Sequence, residues 1–95
     1  MIEVGVRKDG ILIKGHAGYA PAGYDIVCAG VTALTQGLVN SMEGLTDERI
    51  ETNIEGGMVS IKYGDLSERG KLLIDSFFIG ICMIADEFPD YVQIT

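Results

Sequence analysis

Apolar Ile2, Val4 and Val6 alternate with Glu3, Gly5 and Arg7, the period-two pattern of a strand with one buried face. Asp9-Gly10 follows, a two-residue hairpin signal. Pairing outward from that turn sets Val6 opposite Ile13 and Val4 opposite Gly15, with Ile11 and Ile13 on the same apolar face. The returning strand runs into His16. From Ala17 to Tyr24 the periodicity disappears, because Gly18, Pro21 and Gly23 deny the segment regular structure. Asp25 then makes a good helix N-cap, its carboxylate accepting from the N–H of N2 or N3. The pattern predicts a helix from about Ile26 to about Met42 with Cys28 at N3. Ile26, Val27, Val31, Leu34, Leu38 and Met42 form its apolar side. Cys28, Thr32, Thr35 and Gln36 recur at helical spacing as a polar stripe. Gly30, Ala33 and Gly37 form a small-residue face suited to close packing.

Residues 43–48 form a connector, and a second hairpin follows. Ile54 pairs with Val59, Thr52 with Ile61 and Ile50 with Tyr63 across a Gly56-Gly57 turn. Glu55, Asn53 and Glu51 oppose Met58, Ser60 and Lys62, so this hairpin has one packed face and one wet face. Asp65-Leu66-Ser67-Glu68 resembles a capping box with Asp65 as cap and Glu68 at N3. The second helix extends to about Asp86. From Leu72 to Ala85 only Asp75 and Ser76 interrupt its apolar run. That exceeds a single stripe and predicts cover on more than one side. Cys82 falls in this run and reads as a core residue. Phe88-Pro89 ends the helix, and residues 91–95 alternate as a last strand. The order ββα-ββα-β predicts an α+β fold, a mainly antiparallel sheet with two helices packed on it.

Length and charge narrow the classes. Ninety-five residues predict a single domain, 1–95. Hydrophobic residues make up 47% of the chain, more than so small a core needs, which points to a second copy as cover. No apolar run reaches membrane-spanning length. The N-terminal stretch lacks the basic and apolar regions of a secretory signal, so a cytoplasmic location is expected, with free thiols rather than a disulfide. The net charge of −7 falls entirely in residues 41–95, which hold eleven acids against four bases. Such a chain is a poor nucleic-acid binder; on charge alone its acidic half reads first as solubility for an apolar fold, and second as an attraction for a basic protein or peptide.

The candidate chemistry lies in one segment. It holds His16, the only histidine, and Cys28, one of two cysteines. A helix N-terminus favours a thiolate, and a nearby imidazole can take the thiol proton. Main-chain amides of Cys28 and its neighbours are candidate donors to an oxyanion. Asp25 caps the helix, orients His16, or does both. Thr32, one turn beyond Cys28, offers a hydroxyl near the sulfur. The segment 17–24 reads as a lid or substrate-binding loop, with Ala17, Gly18, Tyr19, Gly23 and Tyr24 as its contact residues. No metal site is expected: there is no CxxC, and Cys28, His16 and Asp25 fall short of the four ligands of a closed zinc site. No cofactor motif is present, and the GK[ST] of a phosphate loop is missing. A thiol redox sensor is the alternative that an exposed, activated cysteine leaves open.

Gly15-His16-Ala17, Asp25-Ile26-Val27-Cys28-Ala29 and the tail Pro89-Asp90-Tyr91-Val92 resemble the ribosomal-processing cysteine protease family, Prp. The resemblance covers nearly the whole chain, including its length and element order. It implies a small cytoplasmic homodimer with a Cys–His catalytic pair and no cofactor. It also implies removal of the short N-terminal extension of a large-subunit ribosomal protein. The cut segment would be apolar and aromatic, and the cut would fall before a small residue. His16 and Cys28 match the base and nucleophile, and Gly15 and Asp25 match motif positions beside them. Thr32 falls where some members carry serine and keeps the hydroxyl. The rival from another class is a non-catalytic ribosome-assembly factor that binds the same ribosomal protein.

Overall fold

In the computed structural model, which describes all of residues 1–95, the alternating segments become strands and the longer-period segments become helices. The elements are β1 (Ile2–Arg7), β2 (Gly10–Lys14), α1 (Ile26–Leu45), β3 (Glu51–Glu55), β4 (Met58–Lys62), α2 (Glu68–Glu87) and β5 (Val92–Ile94). The five strands form one sheet in the order β3-β4-β2-β1-β5. All neighbours are antiparallel except β1 and β5, which run parallel. The α+β architecture and the ββα-ββα-β order are as the sequence predicts. The inward residues Val4, Ile11, Ile13 and Ile61 meet Val27, Val31, Leu38 and Met42 of α1 and Ile74, Phe77 and Ile81 of α2 in a single buried core. The opposite face is open and presents Glu3, Arg7, Leu12, Lys14, Ser60 and Lys62.

The first hairpin turns one residue earlier than the Asp9-Gly10 signal implies. Arg7 pairs with Gly10, Val6 with Ile11 and Val4 with Ile13, so Lys8-Asp9 is the connection. Neither has positive φ. Gly10 instead belongs to β2, where a Cβ would lie 3.0 Å from the Ile61 carbonyl oxygen. Its glycine serves the close approach of β4 rather than the turn. The shift of two in the pairing preserves parity, so every side chain keeps its expected face.

The second hairpin has the expected register, Ile54 with Val59 and Thr52 with Ile61, but not the expected packed face. β3 is the sheet's edge strand and lies beyond the cover of the helices, leaving Ile54 74% exposed. Glu51, Asn53 and Glu55 along it discourage pairing with another chain.

The helices also depart from expectation in detail. α1 continues to Leu45, and the Thr46 hydroxyl and N–H close it by donating to the Met42 carbonyl at 2.6 and 3.3 Å. α2 is capped by Ser67 rather than Asp65: the Ser67 hydroxyl accepts from the Gly70 N–H at 3.2 Å. The acid of the capping arrangement comes from far away in sequence. Glu48 Oε1 accepts the Ser67 N–H at 2.6 Å, and the hydroxyl and N–H of Ser67 hold its carboxyl below the usual range. Of the small-residue face, only Gly30 packs closely, against Ile84 of α2, while Gly80 receives Leu34; Ala33 and Gly37 are exposed. Cys82 is half-buried beside the core residue Ile81 rather than part of the core. No helix is long and apolar enough to cross a membrane.

Candidate active site

The end of β2 fixes the start of the site. The Gly15 N–H donates to the Gly57 carbonyl at 2.8 Å, tying the chain to the β3–β4 turn. Gly15 has φ of 95°, and a Cβ there would collide with the Met1 carbonyl oxygen. Only glycine fits this corner. His16 follows. Its carbonyl accepts from the Met1 amino group at 2.6 Å, and its exposed imidazole lies over Gly57, with Nε2 3.4 Å from where a Cβ would stand. No hydrogen bond joins the ring to Cys28 or Asp25.

The next residue makes the contact with the thiol. Ala17 is only 4% exposed, and its N–H donates to Cys28 Sγ at 3.5 Å. Cys28 is half-buried in the first turn of α1, at N3 as expected. Asp25 caps that turn, with Oδ1 accepting the Cys28 N–H at 2.9 Å. Its Oδ2 accepts the Tyr19 N–H at 3.1 Å. The Cys28 N–H, with desolvation opposing and further main-chain donors assisting, keeps the Asp25 carboxyl below its ordinary value. Asp25 therefore joins helix to loop and makes no hydrogen bond to His16. The Cys28 amide, expected as an oxyanion donor, is already engaged by Asp25.

The polar stripe divides. Thr35 is buried, its hydroxyl bonded to the Val31 carbonyl at 2.8 Å. Thr32 and Gln36 stay with Cys28 along an open groove of about 450 Å³ lined also by Gly23, Asp25, Ala29 and Ala33. The loop 17–24 reaches this groove at Gly23. Gly18 and Gly23 adopt φ of 69° and 89°, and Tyr24 is exposed. Tyr19 instead packs on Phe88 and Tyr91, two contacts that sequence reading did not connect with the site. The clue was the aromatic residue in the loop and the pair of aromatics flanking Pro89-Asp90. No three His, Cys, Asp or Glu side chains are grouped to hold a metal ion.

The thiol, its helix terminus, the adjoining amide and the open groove can support nucleophilic attack on a bound peptide. The comparisons agree with that chemistry. The model of the family described as cysteine protease Prp matches residues 1–93. The chain belongs to the cysteine protease Prp family. Among relatives, the ribosomal processing cysteine protease Prp of Staphylococcus aureus (strain Mu50 / ATCC 700699) is 29% identical over 98% of this chain and 94% of its own length. The Bacillus subtilis (strain 168) protein of the same name is 29% identical, covering 100% of this chain and 96% of the relative. In three dimensions the chain is similar to the S. aureus Prp crystal structure in complex with a covalently linked product peptide. That match has a TM-score of 0.90 at 28% identity, and covers 99% of this chain and 95% of the other. This family membership makes the chain a cysteine protease.

Proposed function

We propose that the chain removes the short N-terminal extension of a large-subunit ribosomal protein, with Cys28 as nucleophile and His16 as proton carrier. The observation that carries this reading is the Ala17 N–H at 3.5 Å from Cys28 Sγ. The backbone one residue from His16 already touches the sulfur, and the neighbouring imidazole is exposed and tied down by no hydrogen bond of its own ring. His16 takes the thiol proton, and the thiolate attacks the scissile carbonyl carbon. The tetrahedral intermediate collapses as His16 returns that proton to the leaving amine. Water, deprotonated by His16, then attacks the thioester, and the acid product leaves as the thiol is reprotonated. The helix terminus favours the thiolate throughout. Asp25 serves by fixing Cys28 and the loop, and Thr32 by lining the groove. Gly15 supplies the corner that aims His16. In the substrate-binding loop Gly18, Gly23 and Tyr24 form the exposed side that meets the peptide, and Ala17 and Tyr19 hold the loop against the fold.

The relatives named ribosomal processing proteases support the substrate, as does the excess of acids in residues 41–95 for a basic ribosomal protein. A ribosomal substrate supports a cytoplasmic location for the reaction. The working form is a homodimer, supported by the uncovered apolar face of α2, where Leu72, Ile79 and Met83 are 68%, 63% and 67% exposed.

The direct test incubates the purified chain with the extended ribosomal protein and reads the product by mass spectrometry. Cys28→Ala should lower cleavage at least about a thousand-fold, and His16→Ala about a hundred-fold or more. Cleavage that survives Cys28→Ala would end the reading. Binding of the ribosomal protein without any product from the wild type would favour an assembly factor instead.

A further inference from the structure

Tyr19 is the point at which the loop is fastened to the C-terminal part of the chain. Its ring stands edge-on to Phe88, with centroids 5.5 Å apart and planes at 82°, and to Tyr91, at 5.2 Å and 78°. Both are favourable edge-to-face arrangements. Its hydroxyl makes no hydrogen bond, so the ring itself is what is held. Its main-chain N–H is held as well, by Asp25 Oδ2 at 3.1 Å. Around it the loop is loosely placed: nothing stands within 4 Å of a Cβ built on Gly18 or Gly23. Two residues before Tyr19, the Ala17 N–H meets the Cys28 sulfur at 3.5 Å.

We infer that Tyr19 is a positioning residue: clasped by Phe88 and Tyr91, it keeps the Ala17 main-chain N–H on the Cys28 sulfur. The consequence for the chemistry follows from which amides are free. Asp25 occupies the Cys28 N–H, so the amide beside the sulfur is that of Ala17. An N–H donor stabilises a thiolate. When the sulfur attacks, the same donor stands beside the carbonyl oxygen that becomes negative. The clasp holds it there before substrate arrives, so no reordering of the loop is needed in the transition state. The inference rests on Cys28 as the nucleophile.

The test is steady-state kinetics on a fluorogenic peptide that spans the junction of the ribosomal-protein extension, with melting temperature and circular dichroism to monitor the fold. Tyr19→Ala should lower kcat by about ten- to a hundred-fold while KM stays within about threefold. Tyr19→Phe should restore it, because the ring and not the hydroxyl is engaged. Phe88→Leu should reproduce the loss, and the double variant Tyr19→Ala/Phe88→Leu should lose no more than either single one. If Phe88→Leu melts early, Tyr91→Leu provides the second arm. A change confined to KM would make Tyr19 a substrate contact and overturn the inference. An unaltered kcat in Tyr19→Ala would do the same, as would a Tyr19→Phe variant as impaired as Tyr19→Ala. A failure of the nucleophile assignment looks different: cleavage would then persist in Cys28→Ala.

Discussion

Asp25 receives two main-chain N–H groups, one from the helix that carries the thiol and one from the loop. Both bonds favour the carboxylate, so its pKa in the fold is lowered. The sign of the pH effect follows from that direction. The stabilisation is present above the unfolded-state pKa and is lost as pH falls through the lower folded-state pKa. Asp25→Asn removes the titration. Melting temperatures from pH 7 to pH 3 should therefore show wild type ahead at neutral pH, with the gap to Asp25→Asn closing on acidification. Parallel curves would show that the carboxylate charge is not what holds the loop to the helix. The cap was legible in the sequence because cap and thiol are three residues apart on one helix turn. The bond to Tyr19 was not, because a loop free of periodicity gives no register from which to place its amides.

α2 illustrates how an element can be recognised while its start is misjudged. Its apolar run was plain, but Asp65 and Glu68 offered a local capping box that the fold does not use. Ser67 caps instead, with its N–H held by Glu48 from the connector after α1. A carboxylate brought in by tertiary packing leaves no local spacing to read. Ser67→Ala should cost about 1 kcal/mol, and a urea melt should show it as a lower midpoint with unchanged slope. Asp65→Ala should leave the midpoint within error. The first hairpin was misread for a different reason. Alternation fixes which face a side chain occupies, yet a shift of two residues leaves every face unchanged. Only the approach of Ile61 to Gly10 distinguishes the registers.

The whole molecule buries its sheet on one side and leaves the outer face of α2 apolar, with Leu72, Ile79 and Met83 in one row. If a second copy covers that row, Ile79→Glu should shift the mass in analytical ultracentrifugation from dimer to monomer without unfolding the chain. A wild type that sediments as a monomer at high concentration would remove the dimer. The His16–Cys28 segment was legible because it is continuous in sequence, whereas the aromatic clasp joins its loop to residues far along the chain. That arrangement has a consequence for biosynthesis. β5 lies alongside β1, so the fold joins an early strand to a late one. Translation delivers His16 and Cys28 well before Phe88 and Tyr91. A growing chain thus exposes its thiol early and has nothing yet to hold Tyr19. Tyr19 can be held only once Phe88 and Tyr91 are free to fold against it, so a shorter chain carries the thiol without the fastening of its loop.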